Sequence, residues 1–551
     1  MKKTAKQKRP AGMLSGLLGR LMVVGLIAVG LLAGTLPAWA QEKTVRGTVV
    51  GSGGTPVAGA SVNVKGASGG TMTNSDGQFT IRASKGDVLV ISNVGFTTKE
   101  VTVGDADNIT ITLDARAEEF SEVVVVGYGT QRKEAVTGSV VSVSGDKMRE
   151  IPSPNISQAL QGRVAGMEMS QTSTRPGATM QIRIRGTRSL TADNNPLIVL
   201  DGIPYVGSLA DINPNDIKSI EVLKDASATA IYGSRGANGV ILVTTDKGSR
   251  NGKARVKYSG YVGAQTVFAK YPMMNGPEFA KLRAARGQYT NGPDESDDVN
   301  TDWQDLFYKT GMVTDQNVSL SGGSELSSYN FGLGYYQNQG VVPTQQYTRY
   351  SLRGSLDQQI GKLFRFGFTS YNNYNLTEGN QVGLYNILSM SPLASPYNED
   401  GSLKRIIRMA SDDQFVFTRD VVEQLTRDGQ WLDETRGFAS YNAVYGEVKA
   451  PFLEGLKYRV NLGLDYVQLN GGAYTGQGIG NTNPNTEATA SIDSRTTYHW
   501  TLEHLLTFDR TFGGKHTINA VALYSAEQSK YNRSNMSAQD IPADQFQFYN
   551  L

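Results

Sequence analysis

The sequence predicts a mainly β protein: a small N-terminal β-sandwich, an α+β middle segment, and an antiparallel transmembrane β-barrel that is incomplete within the chain. Three patterns carry this. Short strands punctuated by turns fill residues 41–115, helical and strand periodicities mix over 136–250, and a period-two alternation with aromatic faces recurs through 251–551. The 62 Gly and 26 Tyr against 18 Pro suit many strands joined by tight turns. A mean hydropathy of −0.31 is too low for a bundle of membrane helices. With no cysteine among the 551 residues, neither a disulfide framework nor a thiolate metal site is possible.

Residues 1–40 read as an export signal. Lys2, Lys3, Lys6, Lys8, Arg9 and Arg20 make a basic start, an apolar run follows over 21–36, and Ala38, Trp39 and Ala40 supply a small-x-small cleavage pattern. The run is shorter than the roughly 20 residues a spanning helix needs. Without its six basic residues, the 53 Lys and Arg fall to 47 against 51 Asp and Glu, a net charge near −4. No basic stripe points to nucleic acid. Nothing beyond residue 40 is a continuous apolar span of helical length, so membrane residence requires a closed barrel, the other fold that satisfies every backbone group in lipid.

Residues 41–115 carry the segments VRGTVV, SVNVKG, TNSDGQFTIRA, DVLVISNVGF and NITITLDA. Asp76 and Gly77 mark a hairpin turn, and several short strands in so short a length pack naturally as a sandwich. The run resembles the regulatory-like domain first named from carboxypeptidases, which is non-catalytic. Asn74, Ser75, Asp76 and Gly77 lack the spaced carboxylates and closing Glu of a calcium loop and read as a turn.

The linker 116–135 contains EVVVVGYGT, whose four consecutive valines read as a short extended strand with no obvious partner nearby. Two readings are open: an ordinary buried strand, or a strand lent to the open sheet edge of another protein.

Over 136–250, Ile156, Ala159, Leu160 and Val164 fall at helical spacing, MQIRIRG alternates as a strand, and PLIVLDGIP reads as a buried strand ending in an Asp-Gly turn. Then IKSIEVL leads through small residues to the strand at 240–244. Gly233, Gly236 and Gly239 precede that strand, whereas a phosphate cradle follows a strand and opens a helix, so they read as close-packed turns.

From residue 251 the alternation is clearest in LKYRVNLGLDY, where Leu456, Tyr458, Val460, Leu462, Leu464 and Tyr466 share one face. Tyr350, Leu352 and Leu356 likewise oppose Ser351, Arg353 and Asp357. Nine strands are expected, near 255, 316, 329, 350, 366, 442, 460, 502 and 520. Short turns alternate with long polar stretches at about 264–313, 375–434 and 470–493, as in outer-membrane barrels. Asp294, Glu295, Asp297 and Asp298 fall in the first of these and read as a solvated face or a cation site. Trp303 and Tyr371 read as interfacial belt aromatics or as platforms for sugars. Because bacterial barrels close with even strand numbers, nine strands predict that these residues are the front of a longer chain.

Catalytic chemistry is hard to place. The three histidines, His499, His504 and His516, show no ligand spacing, and no serine lies in GxSxG. His499 and His504, an odd number apart, face opposite sides of one strand. The reading is therefore of a non-enzyme without cofactor or metal.

Taken together, EVVVVGYGT, LQGRVAG, IRIRG, LIVLDG and EVLKDASATAIYGSRGANGVI resemble the SusC/RagA family of TonB-dependent receptors. The resemblance implies that Glu122, Val123, Val124, Val125, Val126 and Gly127 form the TonB box, and that 136–250 is a plug filling a barrel of twenty-two strands. It further implies an outer membrane protein, exported by the Sec route, that imports oligosaccharides or other bulky nutrients. Its implied partners are TonB with the ExbB/ExbD motor, a SusD-like surface lipoprotein, a glycan or peptide substrate, and outer membrane lipids. A siderophore or vitamin receptor and a non-transporting adhesin are the alternatives.

Overall fold

The computed structural model describes residues 43–551 apart from 52–53, 68, 94–95, 107, 115–122, 127–128, 133–138, 151–154, 172 and 288–289. The export segment expected at 1–40 lies outside the described residues. The chain divides into two units, before and after Val123.

The first unit is the expected sandwich. Its strands are β1 (Lys43–Gly51), β2 (Ser61–Val64), β3 (Gly70–Met72), β4 (Gln78–Ala83), β5 (Val88–Ser92), β6 (Lys99–Thr102) and β7 (Asn108–Leu113). They form a three-stranded sheet in the order β4-β1-β7 and a four-stranded sheet in the order β3-β2-β5-β6. In β4 alternate residues Phe79, Ile81 and Ala83 are buried, meeting Val45, Leu89, Ile91 and Leu113 in one core. The Asn74–Gly77 segment is a turn: the Asn74 side-chain oxygen accepts from the amides of Asp76 (3.1 Å) and Gln78 (2.8 Å), and Gly77 has a φ of 73°.

The second unit opens with the strands β8 (Val123–Val126) and β9 (Gly129–Arg132). There follow β10 (Val140–Ser144), α1 (Gly145–Arg149), α2 (Ile156–Leu160), β11 (Met167–Gln171), β12 (Met180–Ile184), β13 (Leu197–Leu200), β14 (Ile203–Tyr205), β15 (Ile217–Leu223), α3 (Ala226–Thr229) and β16 (Val240–Thr245). Five of these strands pair in the order β10-β15-β16-β13-β14, and β11 pairs with β12. The helix expected across 155–164 is confined to α2, capped by the Asn155 side chain; the chain turns beyond it at Gly162, φ 73°. Ile156, Leu160, Ile184, Ile220, Val222 and Ile241 fill the core. Between β13 and β14, Asp201 (φ 51°) and Gly202 (φ 93°) make the two-residue turn that the Asp-Gly pair predicts.

The remaining strands build one antiparallel sheet of nine: β17 (Arg255–Gln265), β18 (Gly311–Gly323), β19 (Ser327–Gln339), β20 (Gln346–Ile360), β21 (Phe364–Glu378), β24 (Trp431–Lys449), β25 (Leu456–Thr475), β26 (Thr489–Phe512) and β27 (His516–Gln539). They fall where the alternation placed them. On β20 the odd-numbered Arg349, Ser351, Arg353, Ser355 and Asp357 are buried, while Tyr350, Leu352 and Leu356 face outward. No helix among the described residues is long and apolar enough to cross a membrane.

The long polar stretches are more than loops. They contain α4 (Gly276–Ala285), α5 (Trp303–Phe307), α6 (Leu384–Leu388), β22 (Ile406–Arg408), β23 (Asp413–Phe415) and α7 (Arg419–Arg427). Phe307, Ile387, Ile407, Phe415, Val422 and Leu425 from these segments join Ile479 in a single apolar core, so connections from three loops fold as one cap. Their scattered apolar residues show no common period because each segment contributes only two or three.

Candidate functional site

The valine strand is present, but the expectation that it lacks a nearby partner is corrected. Val123, Val124, Val125 and Val126 pair antiparallel with Arg132, Gln131, Thr130 and Gly129, leaving two residues between the strands. A two-residue hairpin link is the commonest one, and the polar run at 129–132 hid the second strand. Each strand of such a pair keeps one edge free. Glu122 and Gly127 lie outside the described residues.

A second constellation is the seat where the plug meets the barrel wall. The segment Ser208–Asp216 is a double 3-10 turn; a capping box of Ser208 and Asp211 fixes the first half and Asn213 caps the second. Inward side chains of three strands grip it, and a fourth strand holds the plug nearby. Arg349 on β20 donates to the Ala210 carbonyl at 2.9 Å, and Asn373 on β21 to the Asp211 carbonyl at 3.1 Å. The Asn213 amide side chain donates to Asn317 Oδ1 on β18 at 2.6 Å, and its backbone N–H to the Tyr371 hydroxyl. Arg353 Nη1 donates to the Asp216 carbonyl at 3.0 Å and lies 3.5 Å from its carboxylate. On β24, Tyr441 donates to the Leu200 carbonyl at 2.9 Å.

Burial pushes the carboxyls of Asp211 and Asp216 up, against the opposing pull of Arg349 and Arg353. Asp201 is also buried, but Lys247 and hydrogen bonds from Thr245 hold its carboxyl below the ordinary value. The plug leaves its seat through Arg250, which meets Asp357 on β20 at 2.8 Å; Asp357 also binds Arg365 at 2.8 Å and the Tyr445 hydroxyl. At the other end of the plug, Arg175 reaches Asp433 on β24 at 3.3 Å, and Gly177 lies against the Tyr347 ring.

Arg353 and Asp357 were legible as inward residues, but their plug partners were not. Sequence reasoning passed over Asn213, Pro214, Asn215 and Asp216; the Asn-Pro pair is a turn signal that could have found them.

The acidic cluster divides: Asp297 and Asp298 are exposed, a solvated face, whereas Asp294 and Glu295 are taken up by basic partners. Asp294 pairs with Lys404 and Arg408, each at 3.0 Å, and Glu295 with Arg283 at 3.2 Å; both carboxylates are buried. Burial works against ionisation of Asp294, yet hydrogen bonds from Arg408 and Lys404 hold its carboxyl well below the usual range. These acids tie the first long loop to the second. Among the described residues no group of three or more His, Asp or Glu is placed to hold a metal.

Trp303 and Tyr371 are corrected too: both are buried, Trp303 in the cap core with its indole N–H on the Ser391 carbonyl at 2.8 Å, and Tyr371 against the plug. Neither is a belt residue or an open sugar platform. His499 is inward beside Thr501 at 2.9 Å, and His504 is outward, stacked on Tyr458. Gly239 (φ 90°) packs against Ile184, where an added Cβ would approach to 2.7 Å, consistent with close-packed turns.

Fold and seat together define a plugged β-barrel. A family model described as the TonB-dependent Receptor Plug Domain matches residues 132–240, and one described as a CarboxypepD_reg-like domain matches 45–125. TonB-dependent receptor P26 of Formosa agariphila is 43% identical over 374 residues, covering 66% of this chain and 37% of that one. Receptor P3 of the same organism is 33% identical over 533 residues, covering 93% and 50%. TonB-dependent receptor SusC of Bacteroides thetaiotaomicron is 39% identical over 327 residues, covering 58% and 32%. The chain thus spans half or less of the length of these curated relatives. Among solved structures, the RagAB peptide importer in its open-open state has the same fold, with a TM-score of 0.68 at 24% identity over 78% of this chain and 51% of that one. Together these findings support a TonB-dependent receptor of the SusC/RagA type.

Proposed function

We propose that the protein is an outer membrane transporter that imports bulky nutrients, oligosaccharides or peptides, by TonB-dependent displacement of its plug. In this reading 1–40 is a Sec export signal, 41–115 the regulatory-like sandwich, 116–135 the linker with the TonB box, 136–250 the plug and 251–551 barrel. The observation that carries it is the chemistry of the seat. The plug turn is held mainly by hydrogen bonds and one ion pair, each of which water can replace at a net cost of about 1 kcal/mol for the neutral bonds and about 2 kcal/mol for those from Arg349 and Arg353. A seat of this kind releases under tension by parting polar bonds, with Tyr371, Tyr441 and Ala443 as the wall residues that share the plug's apolar core.

Val123–Val126 lies at the head of the same unit, and its free edge suits strand addition by TonB, driven through ExbB/ExbD. The cap supports a surface partner: Tyr271, Met273 and Met274 are exposed and line a cavity of about 460 Å³. A SusD-like lipoprotein closing over the cap fits that surface.

Deleting Val123–Val126 tests the reading. Uptake of labelled oligosaccharide or peptide should cease while surface binding persists. Undiminished uptake would sink the import mechanism, and an adhesin would show binding alone in both proteins. Uptake of iron chelates in place of glycans or peptides would assign the siderophore alternative.

A further inference from the structure

The outward face of the barrel carries a closed ring of polar side chains amid its apolar band. Ser370 donates to Asn442 Oδ1 at 2.8 Å, Asn442 to Ser440 Oγ at 3.0 Å, Ser440 to Asn372 Oδ1 at 2.6 Å, and Asn372 back to Ser370 Oγ at 2.9 Å. The four residues are direct cross-strand partners on β21 and β24, and their neighbours Tyr371, Asn373, Ala439 and Tyr441 are buried, which places the ring outside. Phe368 and Val444 flank it on one side along the strands, Tyr374 and Phe438 on the other.

Polar side chains in lipid must find partners, and the ring satisfies one donor and one acceptor of each asparagine. Each amide keeps one N–H and one carbonyl lone pair. Asn372 also ends an apolar groove of about 510 Å³ that crosses the outer wall between two rungs of side chains. Tyr335, Tyr350, Tyr374 and Phe438 make one rung, and Leu333, Leu352 and Asn372 the other; within each rung the residues are paired across adjacent strands. At about 4.8 Å per strand the groove runs for roughly 15 Å, long enough for much of one acyl chain.

We propose that this groove binds one hydroxylated acyl chain of a surrounding lipid, with the chain hydroxyl seated on the Asn372 amide. The occupant follows from the lining. The walls are mostly apolar or aromatic; Gln316, at the β18 end, has its amide engaged by the Tyr258 hydroxyl, the Tyr261 carbonyl and Thr314, whereas Asn372 presents a donor and an acceptor together, the complement of a single hydroxyl. The tyrosine rung marks the interfacial girdle, where ester groups lie; Asn372 sits one rung beyond it toward the apolar band, at the depth of a hydroxyl a few carbons along a chain. The proposal rests on the reading of this face as lipid-facing.

The test inserts the protein into phosphatidylcholine nanodiscs doped with lipid A bearing 3-hydroxyacyl chains, or with an analogue lacking those hydroxyls. Lipid retained after transfer to detergent is counted by native mass spectrometry. The protein should retain the hydroxylated lipid about five-fold better, the ratio that one neutral hydrogen bond commands. Leu352→Trp or Leu333→Trp, which fill the groove from the outside, should abolish retention, and Asn372→Leu should erase the discrimination. Equal retention of both lipids, or unaltered retention in the tryptophan variants, overturns the proposal. A lipid-free dimer that Asn372→Leu splits would assign the face to a second copy and also overturn it. Failure to enter the discs at all would instead overturn the lipid-facing reading beneath it.

Discussion

Arg353 of the barrel wall and Asp216 of the plug form the innermost tie of the seat, with Nη1 3.0 Å from the Asp216 carbonyl and 3.5 Å from its carboxylate, and the arginine 1% exposed. One guanidinium thereby serves both a backbone acceptor and the carboxyl of the same plug residue. The wall arginine is planar and always charged, so the tie holds across the physiological pH range.

Arg353→Met should strip both bonds and leave the Asp216 carboxyl buried beside an apolar side chain. Removing one member of a buried pair costs about 3 kcal/mol. The expected result is a lower melting temperature and greater ion leakage in planar bilayers. Burial already raises the Asp216 carboxyl, so the folded state takes up its proton at higher pH than the unfolded chain. The variant's seat should therefore strengthen as pH falls toward the ordinary aspartate value near 3.9 and weaken as pH rises through the raised one. An unaltered melting temperature and leak would show that the tie is incidental.

Gly177 has a φ of 78°, and a Cβ there would lie 2.2 Å from Tyr347 Cδ2. Gly177→Ala should cost about 2 kcal/mol through left-handed backbone strain and overlap with the ring. In a Tyr347→Ala background, the same Gly177→Ala change should add only the backbone cost of about 1 kcal/mol. Hydrogen exchange of residues 173–179 reads both effects, and identical exchange in the two variants would refute the contact.

Asp294→Asn should loosen the cap while leaving the barrel intact. The carboxylate is 9% exposed and binds Lys404 and the side chain and backbone of Arg408. Losing charge-assisted bonds of this kind costs about 2 kcal/mol. Its pKa is held below the ordinary value, so its contribution is present above about pH 4 and lost as pH falls through the lowered value. Limited proteolysis of loops 266–310 and 379–430 should accelerate in the variant at pH 7, and the variant should lack the parent's further loosening in acid.

Val124→Pro bears on the leading hairpin. Val124 is paired with Gln131, and proline brings a fixed φ and no N–H to the ladder. Uptake should fall at least ten-fold, about 1.4 kcal/mol in the coupling step, with ligand binding unaltered. Normal uptake would mean that the strand is not the handle.

The barrel was the most legible part of the chain, because a strand wetted by lipid on one side and packed on the other records its environment in a period of two. Arg353 and Asp357 could be assigned to the inner face from Leu352 and Leu356 alone. The seat was not legible in the same way. Its contacts join residues as far apart as Leu200 and Tyr441, 241 positions, or Arg175 and Asp433, 258 positions, and no local pattern encodes such a distance. Tyr371 illustrates the ambiguity: an aromatic on a barrel strand looks the same whether it meets sugar, lipid or plug. The cap failed for a related reason, since Trp303, Ile387, Phe415 and Ile479 each sit in a polar stretch and become a core only when loops from three hairpins meet.

By itself, the sequence determined the order of the parts, the strand positions and the side of the wall each residue takes, because these depend on alternation and turn chemistry within a few residues. Tertiary structure alone decided which wall residues grip the plug, that Asp294 and Glu295 are clamps and not a cation site, and that the valine strand already has a neighbour. Those outcomes depend on pairing across long loops, where the energy lies between residues that the chain itself never brings side by side.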